Sequence, residues 1–408
     1  MTRNFSVWPV GGRRNRVARA QRGMTLVELM VAMLLGLVTT YFISQVFAVA
    51  EGQKRTATFG TDAQVNGSVA LHTIRRHVMN SGYGLIAAQS ALGCPLYGEF
   101  GTTGSTTASP PMDLVPVVIT PGPSASAPSD ELTIVTSTKS SFAAPVMVDG
   151  RAYTAEKAFK VSGAGGSHGF SLDDTFAAIP ADWKAKGNQC LLFTVAEDKL
   201  SPGTTLDKSH IPFVSSPSAS SWNAAGNSHW PIDSGVARFP DKTLLVNFGA
   251  IRRMVFGVSA ESFQVVTWTP KGIGNAERLN SGIVLMKALY GRDTSVPADG
   301  TVDVYDTTTP TTTDGWKNIV SVRLVMVARS GQRERVKVTT AAPTWNVGGG
   351  TAVSYQAYPG SPTVCAATAA ACELPLPISQ ISDWEYYRYK VFDTAVPVRN
   401  LMWNTEEE

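Results

Sequence analysis

From Met24 to Ala50 the chain reads MTLVELMVAMLLGLVTTYFISQVFAVA, 27 residues with Glu28 as the single charge. A run of that length and polarity predicts a helix able to cross a bilayer. From Glu51 onward the sequence turns polar, yet Phe59, Ala63, Ala70, Ile74 and Val78 keep a helical spacing until Gly82-Tyr83-Gly84 interrupts it. Together the two patterns predict one helix from about Met24 to about Met79, apolar all round at first and striped afterwards. Gly36, Gly52, Gly60 and Gly67 weaken it, each by up to about 1 kcal/mol.

The periodicity then changes. Residues 98–130 are dense in Gly, Pro, Ser and Thr and predict a flexible loop. After them, short apolar segments recur between turn signals, among them ELTIVTST, AFKVSG, CLLFTVAE, KTLLVNFG, SFQVVTW and IVSVRLVMVARS, which is the rhythm of a β-rich body. In the last of these Val320, Val322, Leu324, Met326 and Ala328 point one way, predicting a half-buried strand with Val325 and Val327 thickening its second face. The aromatics Trp384, Tyr386, Tyr387 and Tyr389 read as a strand packed against the helix. The expected fold class is α+β: a long N-terminal helix, transmembrane in its first half, packed on a large, mainly antiparallel β-sheet head.

Charge sharpens this picture. Residues 1–23 hold six arginines and no acid, and without them the chain carries 29 basic against 32 acidic residues. The body therefore lacks the basic surface that nucleic acid requires. The basic leader fixes the helix direction: leader in the cytoplasm, everything after residue 50 outside. Ala48-Val49-Ala50 resembles a signal-peptidase site, but the apolar run is too long for a simple export signal. A plain membrane anchor has no use for Glu28, because a carboxyl group in a membrane helix costs about 2.5–3.5 kcal/mol. Four cysteines, Cys94, Cys190, Cys365 and Cys372, have no C-x-x-C spacing and read as disulfides of an exported protein. Three connectivities are open, of which Cys94–Cys190 with Cys365–Cys372 closes the most local loop.

RGMTLVELM resembles the class III signal of type IV prepilins: a basic leader ending in glycine (Gly23), a hydrophobic first mature residue (Met24, where phenylalanine is commoner), and glutamate at the fifth mature position (Glu28). The resemblance implies cleavage between Gly23 and Met24 by a prepilin peptidase and methylation of the new amine. It further implies that this amine meets Glu28 of an adjacent helix in a filament core, where each charge alone would be costly. LHTIRRHVMNSGYG, GIVLMKALYGRDTSVPADGTVDVYD, WKNIVSVRLVMVARSG and YYRYKVFDTAVPVRNLMW are similar to blocks of the PilW family of minor pilins, and roughly residues 90–240 stay unmatched.

The organisation implied is a cleaved leader (1–23), a transmembrane and filament-core helix (24–50), its periplasmic half (51–82) and a β-rich periplasmic head (83–408). The implied partners are the prepilin peptidase, major and minor pilins, and the inner membrane, and the implied end point is the pilus fibre. Two rival readings are a pseudopilin of a type II secretion system and a helix-anchored adhesin or carbohydrate-binding module.

Catalysis finds little support. Gly165-Gly166-Ser167-His168-Gly169 matches G-x-S-x-G, but no helix follows it and the chain lacks βα alternation. The five histidines form no metal-binding pair on a common helical face. One loop has ligand character: Asp293, Asp299, Asp303 and Asp306 surround Gly300 and are candidate calcium ligands, with Ser295-Val296-Pro297 where further acids would stand. Otherwise no cofactor is expected, and the chain reads as a non-enzyme.

Overall fold

The computed structural model describes residues 23–84, 86–98, 112–139, 145–153, 157–162, 169–184, 189–196, 209–213, 230–233, 235–269 and 272–402. One helix, α1 (Leu26–Met79), matches the predicted length to within two residues. The chain forms two compact units, Met1–Thr58 and Phe59–Glu408, so the division falls within α1 and the last turns of the helix belong to the head.

In the first unit, the stretch Leu26–Lys54 has a mean hydropathy of 2.1 and is exposed throughout. Its internal polar side chains are satisfied locally: Thr39 and Thr40 hydroxyls donate to the Leu35 and Gly36 carbonyls at 2.7 and 2.8 Å, and Ser44 donates to Tyr41 O at 2.8 Å. Such back-bonding is what a helix needs where water is absent.

In the second unit, Ala63, Ala70, Ile74 and Val78 are buried as their spacing predicts, while the Phe59 side chain lies outside the described residues. Gly67, on the same face, has a different role from the flexible point its type suggests. A Cβ there would sit 2.1 Å from the Phe392 ring, so the ring occupies the space a side chain would need. The helix ends through Gly82 and Gly84, with φ of 73° and 89°, in the left-handed region that glycine adopts without strain.

Six strands frame the core: β1 (Glu131–Thr136), β2 (Arg252–Ser259), β3 (Ser262–Thr269), β4 (Ile283–Arg292), β5 (Ile319–Arg329) and β6 (Tyr389–Pro397). β1, β2 and β3 pair antiparallel in one sheet, which Val117–Thr120 extends. β4, β5 and β6 pair antiparallel in another, extended through Val304–Asp306, Ala352–Gln356 and Pro362–Cys365. The head part of α1 shares one buried core with both sheets, which includes Ile134, Phe256, Phe263, Met286, Tyr290, Leu324 and Val396. An eight-stranded sheet lies in the segment before β2 and closes with β-strand Leu244–Gly249. Its core is aromatic, with Phe159, Phe176, Phe193, Phe213, Trp230 and Phe239 buried together.

Three expectations are corrected. β5 is buried on both faces: Val322, Leu324, Met326 and Ala328 face α1, while Val325 and Val327 enter a second core with Trp345, Tyr355 and Leu374. A register shift opposite Gly291 and Arg292 places Ile319, rather than Val320, in the α1-side core. The stretch 98–130 is only partly the loop its composition suggests: residues 99–111 lie outside the described residues, but Met112–Asp113 and Val117–Thr120 are strands. The aromatic cluster does not pack on α1. Trp384–Tyr386 is a short 3-10 helix, and Trp384 and Tyr389 cover the opposite face of the β5 sheet.

One ion pair joins the two framing sheets. Asp130, just before β1, meets Lys287 of β4 at 2.5 Å, and both side chains are buried. Asp130 also closes the free edge of β4: its backbone N–H donates to Met286 O at 2.8 Å, and its carboxylate accepts from Ala288 N at 2.9 Å and Gly122 N at 3.0 Å. Burial pushes the Asp130 carboxyl above its ordinary value, against the opposing pull of the Lys287 ammonium and these N–H groups.

Two predictions follow from this packing. Lys287→Met leaves a buried carboxylate without its cation and lowers the stability of the detergent-solubilised chain by about 3–5 kcal/mol in urea denaturation. Adding Asp130→Leu recovers only part of this loss, because the Gly122 and Ala288 N–H groups then lack an acceptor. At the helix seat, Gly67→Val costs about 1–3 kcal/mol by overpacking. In the Phe392→Ala background the same substitution costs clearly less, a non-additivity that a double-mutant cycle measures.

Candidate assembly site

The start of α1 is built by its cap. Thr25 precedes the first helical residue, its Oγ1 accepts the Glu28 backbone N–H at 3.2 Å, and its carbonyl accepts Leu29 N at 3.1 Å. Thr25-Leu26-Val27-Glu28 has the spacing of a capping box, with the acid at the third helical position. The Glu28 carboxylate therefore lies in the first turn, where the helix N-terminus stabilises negative charge by about 0.3–1 kcal/mol. Among the described residues that carboxylate has no hydrogen-bond or ion-pair partner. Gly23 has no neighbour within 4 Å of a hypothetical Cβ, and Met24 is 62% exposed, so the Gly23–Met24 peptide stands clear of the fold.

Around these residues the helix surface is uniformly apolar. Leu26, Met30, Met33, Leu34, Leu37, Phe42 and Phe47 all lie exposed. An apolar surface of that extent requires lipid or other helices to cover it. What the segment can do chemically is associate: it offers an apolar cylinder with one anionic mark near its end.

The remaining candidate residues divide clearly. Cys94 pairs with Cys190 and Cys365 with Cys372, the most local of the connectivities. The four acids of the 293–306 loop do not converge on a cation. Asp293 accepts from Ser295 N at 3.0 Å and Gly300 N at 2.6 Å, and Asp299 accepts from Thr301 N at 2.7 Å. Asp303 accepts from Thr294 N at 2.7 Å and from the Thr294 and Ser295 hydroxyls, and these bonds, led by the Thr294 N–H, lower its pKa. Asp306 forms a two-bond pair with Arg292 at 2.5 and 2.9 Å. Each carboxylate thus holds the loop in shape, and among the described residues no group of three or more metal-ligating side chains exists. Gly165 to His168 lie outside the described residues. His72 is exposed, and His77 lies tilted against Phe256 with ring centroids 4.9 Å apart, with burial and then Arg76 lowering its pKa.

Sequence reasoning passed over Thr25, although the T-x-x-E spacing marks it as a cap. It also passed over the Asp130–Lys287 pair, whose members lie 157 positions apart with no local signal to join them.

Comparison with known proteins agrees with the reading of both ends of the chain. No curated protein and no solved structure matches it. Residues 18–40 match the model of the prokaryotic N-terminal methylation motif, which takes in Gly23, Met24 and Glu28. Residues 255–400 match the model of Type IV Pilus-assembly protein W, and the two matches together support a type IV pilus-related pilin.

Proposed function

We propose that the chain is a minor pilin that takes part in assembling or priming type IV pili. A prepilin peptidase removes residues 1–23, and the amine of Met24 is then methylated. The helix from residue 24 to residue 50 anchors the protein in the inner membrane before it enters the fibre. The head faces the periplasm and associates with other minor pilins, and adhesion and twitching motility follow from the assembled pilus. The protein has no catalytic step of its own. Its two disulfides suit an oxidising compartment.

One observation carries this reading: a carboxylate unpaired among the described residues, five residues beyond an exposed Gly–Met junction, in a helix segment with no other charge up to Ala50. Taken from a neighbouring chain, the Met24 amine supplies the missing cation, and the pair sets the axial register of adjacent helices.

The test separates processing from assembly. N-terminal sequencing of the exported protein gives methylated Met24 in the presence of the peptidase and the uncut chain in its absence. Glu28→Leu removes a charge that opposes insertion, so the variant inserts at least as well and is still cut at Gly23. Its recovery in sheared pili nevertheless falls about tenfold or more, as expected for a lost charge pair in an apolar core. Full incorporation of Glu28→Leu rules the reading out. Loss of protein secretion instead of piliation in a deletion strain assigns the chain to a secretion pseudopilin.

A further inference from the structure

The head carries a cationic cleft that no other feature of the fold uses. It is an open cavity of ≈ 500 Å³ where the C-terminal end of α1 meets the end of β1, the start of β2 and the short helix Arg399–Met402. Arg252 and Arg399 line it together with His77, Tyr83, Met79 and Met254. Its walls are fixed: Gly82 N donates to Val135 O at 3.2 Å, Ser137 N to Tyr83 O at 3.1 Å, and Asn400 Nδ2 to Ser81 O at 2.8 Å.

The charge of the cleft is unbalanced. On the head Arg292, Arg323, Arg329 and Arg388 each face a carboxylate, while among the described residues the exposed Arg75, Arg76, Arg278 and Arg335 face none; Arg252 and Arg399 differ from these in lining one cavity together. Among the described residues the Arg252 and Arg399 side chains have neither an ion-pair nor a hydrogen-bond partner, and no acid lines the cavity. Guanidinium groups recognise carboxylates through paired N–H donors, so two free ones in a single cleft form a receptor for acidic side chains. Met79 and Met254 add an adaptable apolar floor, which favours a protein segment over a bare inorganic anion.

We infer that this cleft docks an acidic segment of a neighbouring pilin subunit, with an Asp or Glu side chain held between Arg252 and Arg399. The inference rests on the pilin reading and supplies it with a head-to-head contact.

The experiment uses the full-length chain, extracted from membranes of cells that also express the other pilins, with a photo-crosslinking residue replacing Tyr83. The expected crosslinks fall on an acid-bearing segment of another pilin. Arg252→Glu with Arg399→Glu reduces co-purification of that pilin about tenfold or more, with an intermediate loss for the Gln pair. The melting temperature and the cut at Gly23 stay unchanged, because both side chains lie on the surface. Undiminished co-purification in the Glu pair overturns the inference. So do crosslinks confined to this chain's own Glu406–Glu408, and so does stabilisation by millimolar inorganic phosphate without crosslinks to a pilin. A chain that is never cut at Gly23 defeats the pilin reading itself, whereas a cut chain that captures no pilin through the cleft defeats only this inference.

Discussion

The head is organised around one close approach, between the backbone of α1 at Gly67 and the ring of Phe392 on β6. The ring lies where a side chain at position 67 would stand, so the helix axis can settle onto the sheet. Ala63 and Ala70 flank this point on the same face, and the larger Ile74 and Val78 follow further along the helix. Small residues at the centre and branched ones further along give a graded fit, which fixes both the depth and the register of the helix in its seat. Close packing of this kind transmits the position of one element to its neighbours, because cores do not deform continuously.

Helix packing cannot by itself hold the two framing sheets in register with each other, and the Asp130–Lys287 pair meets that need. A buried ion pair contributes little net stability compared with apolar residues of similar volume, because desolvation offsets the attraction. Its value is specificity: Asp130 has acceptors for Lys287, Ala288 and Gly122 in one place only, and any slip of β1 past β4 leaves a charge unpaired. The same carboxylate closes the edge of β4 at Ala288, where no strand pairs with it, so it also blocks the β-pairing with other chains that an open edge invites.

The sequence made α1 legible because two periodicities share one chain. An apolar run 27 residues long and an i, i+4 spacing of small and branched residues both persist without proline until Gly82. The strands were legible as apolar segments between turns, and so was the anionic mark at Glu28. Burial of β5 on both faces was not, because Ser321 and Arg323 break its apolar run. Arg323 pairs with Asp393 on the neighbouring β6 and donates to the Val347 carbonyl, so a charged residue sits in a strand that is otherwise enclosed. The acidic loop was ambiguous for a related reason. Asp and Gly at close spacing suit calcium ligation and Asx-type turns alike, and the structure shows the turn bonds of Asp293, Asp299 and Asp303. The cleft was invisible because Arg252 and Arg399 lie far apart in sequence and neither belongs to a local pattern.

The ends of α1 also explain why the acid is the stable member of the proposed intermolecular pair. Glu28 sits in the first turn, with its backbone N–H held by Thr25, so the helix dipole favours its charge even in an isolated chain. The amine that the proposed cleavage before Met24 would expose lies at the same helix end, where the same dipole disfavours a cation. The carboxylate is thus partly compensated before assembly, and the amine is not. On that proposal pairing gains most from relieving the amine, and an uncut chain, which lacks that terminus, would have no such drive toward the Glu28 of its neighbour.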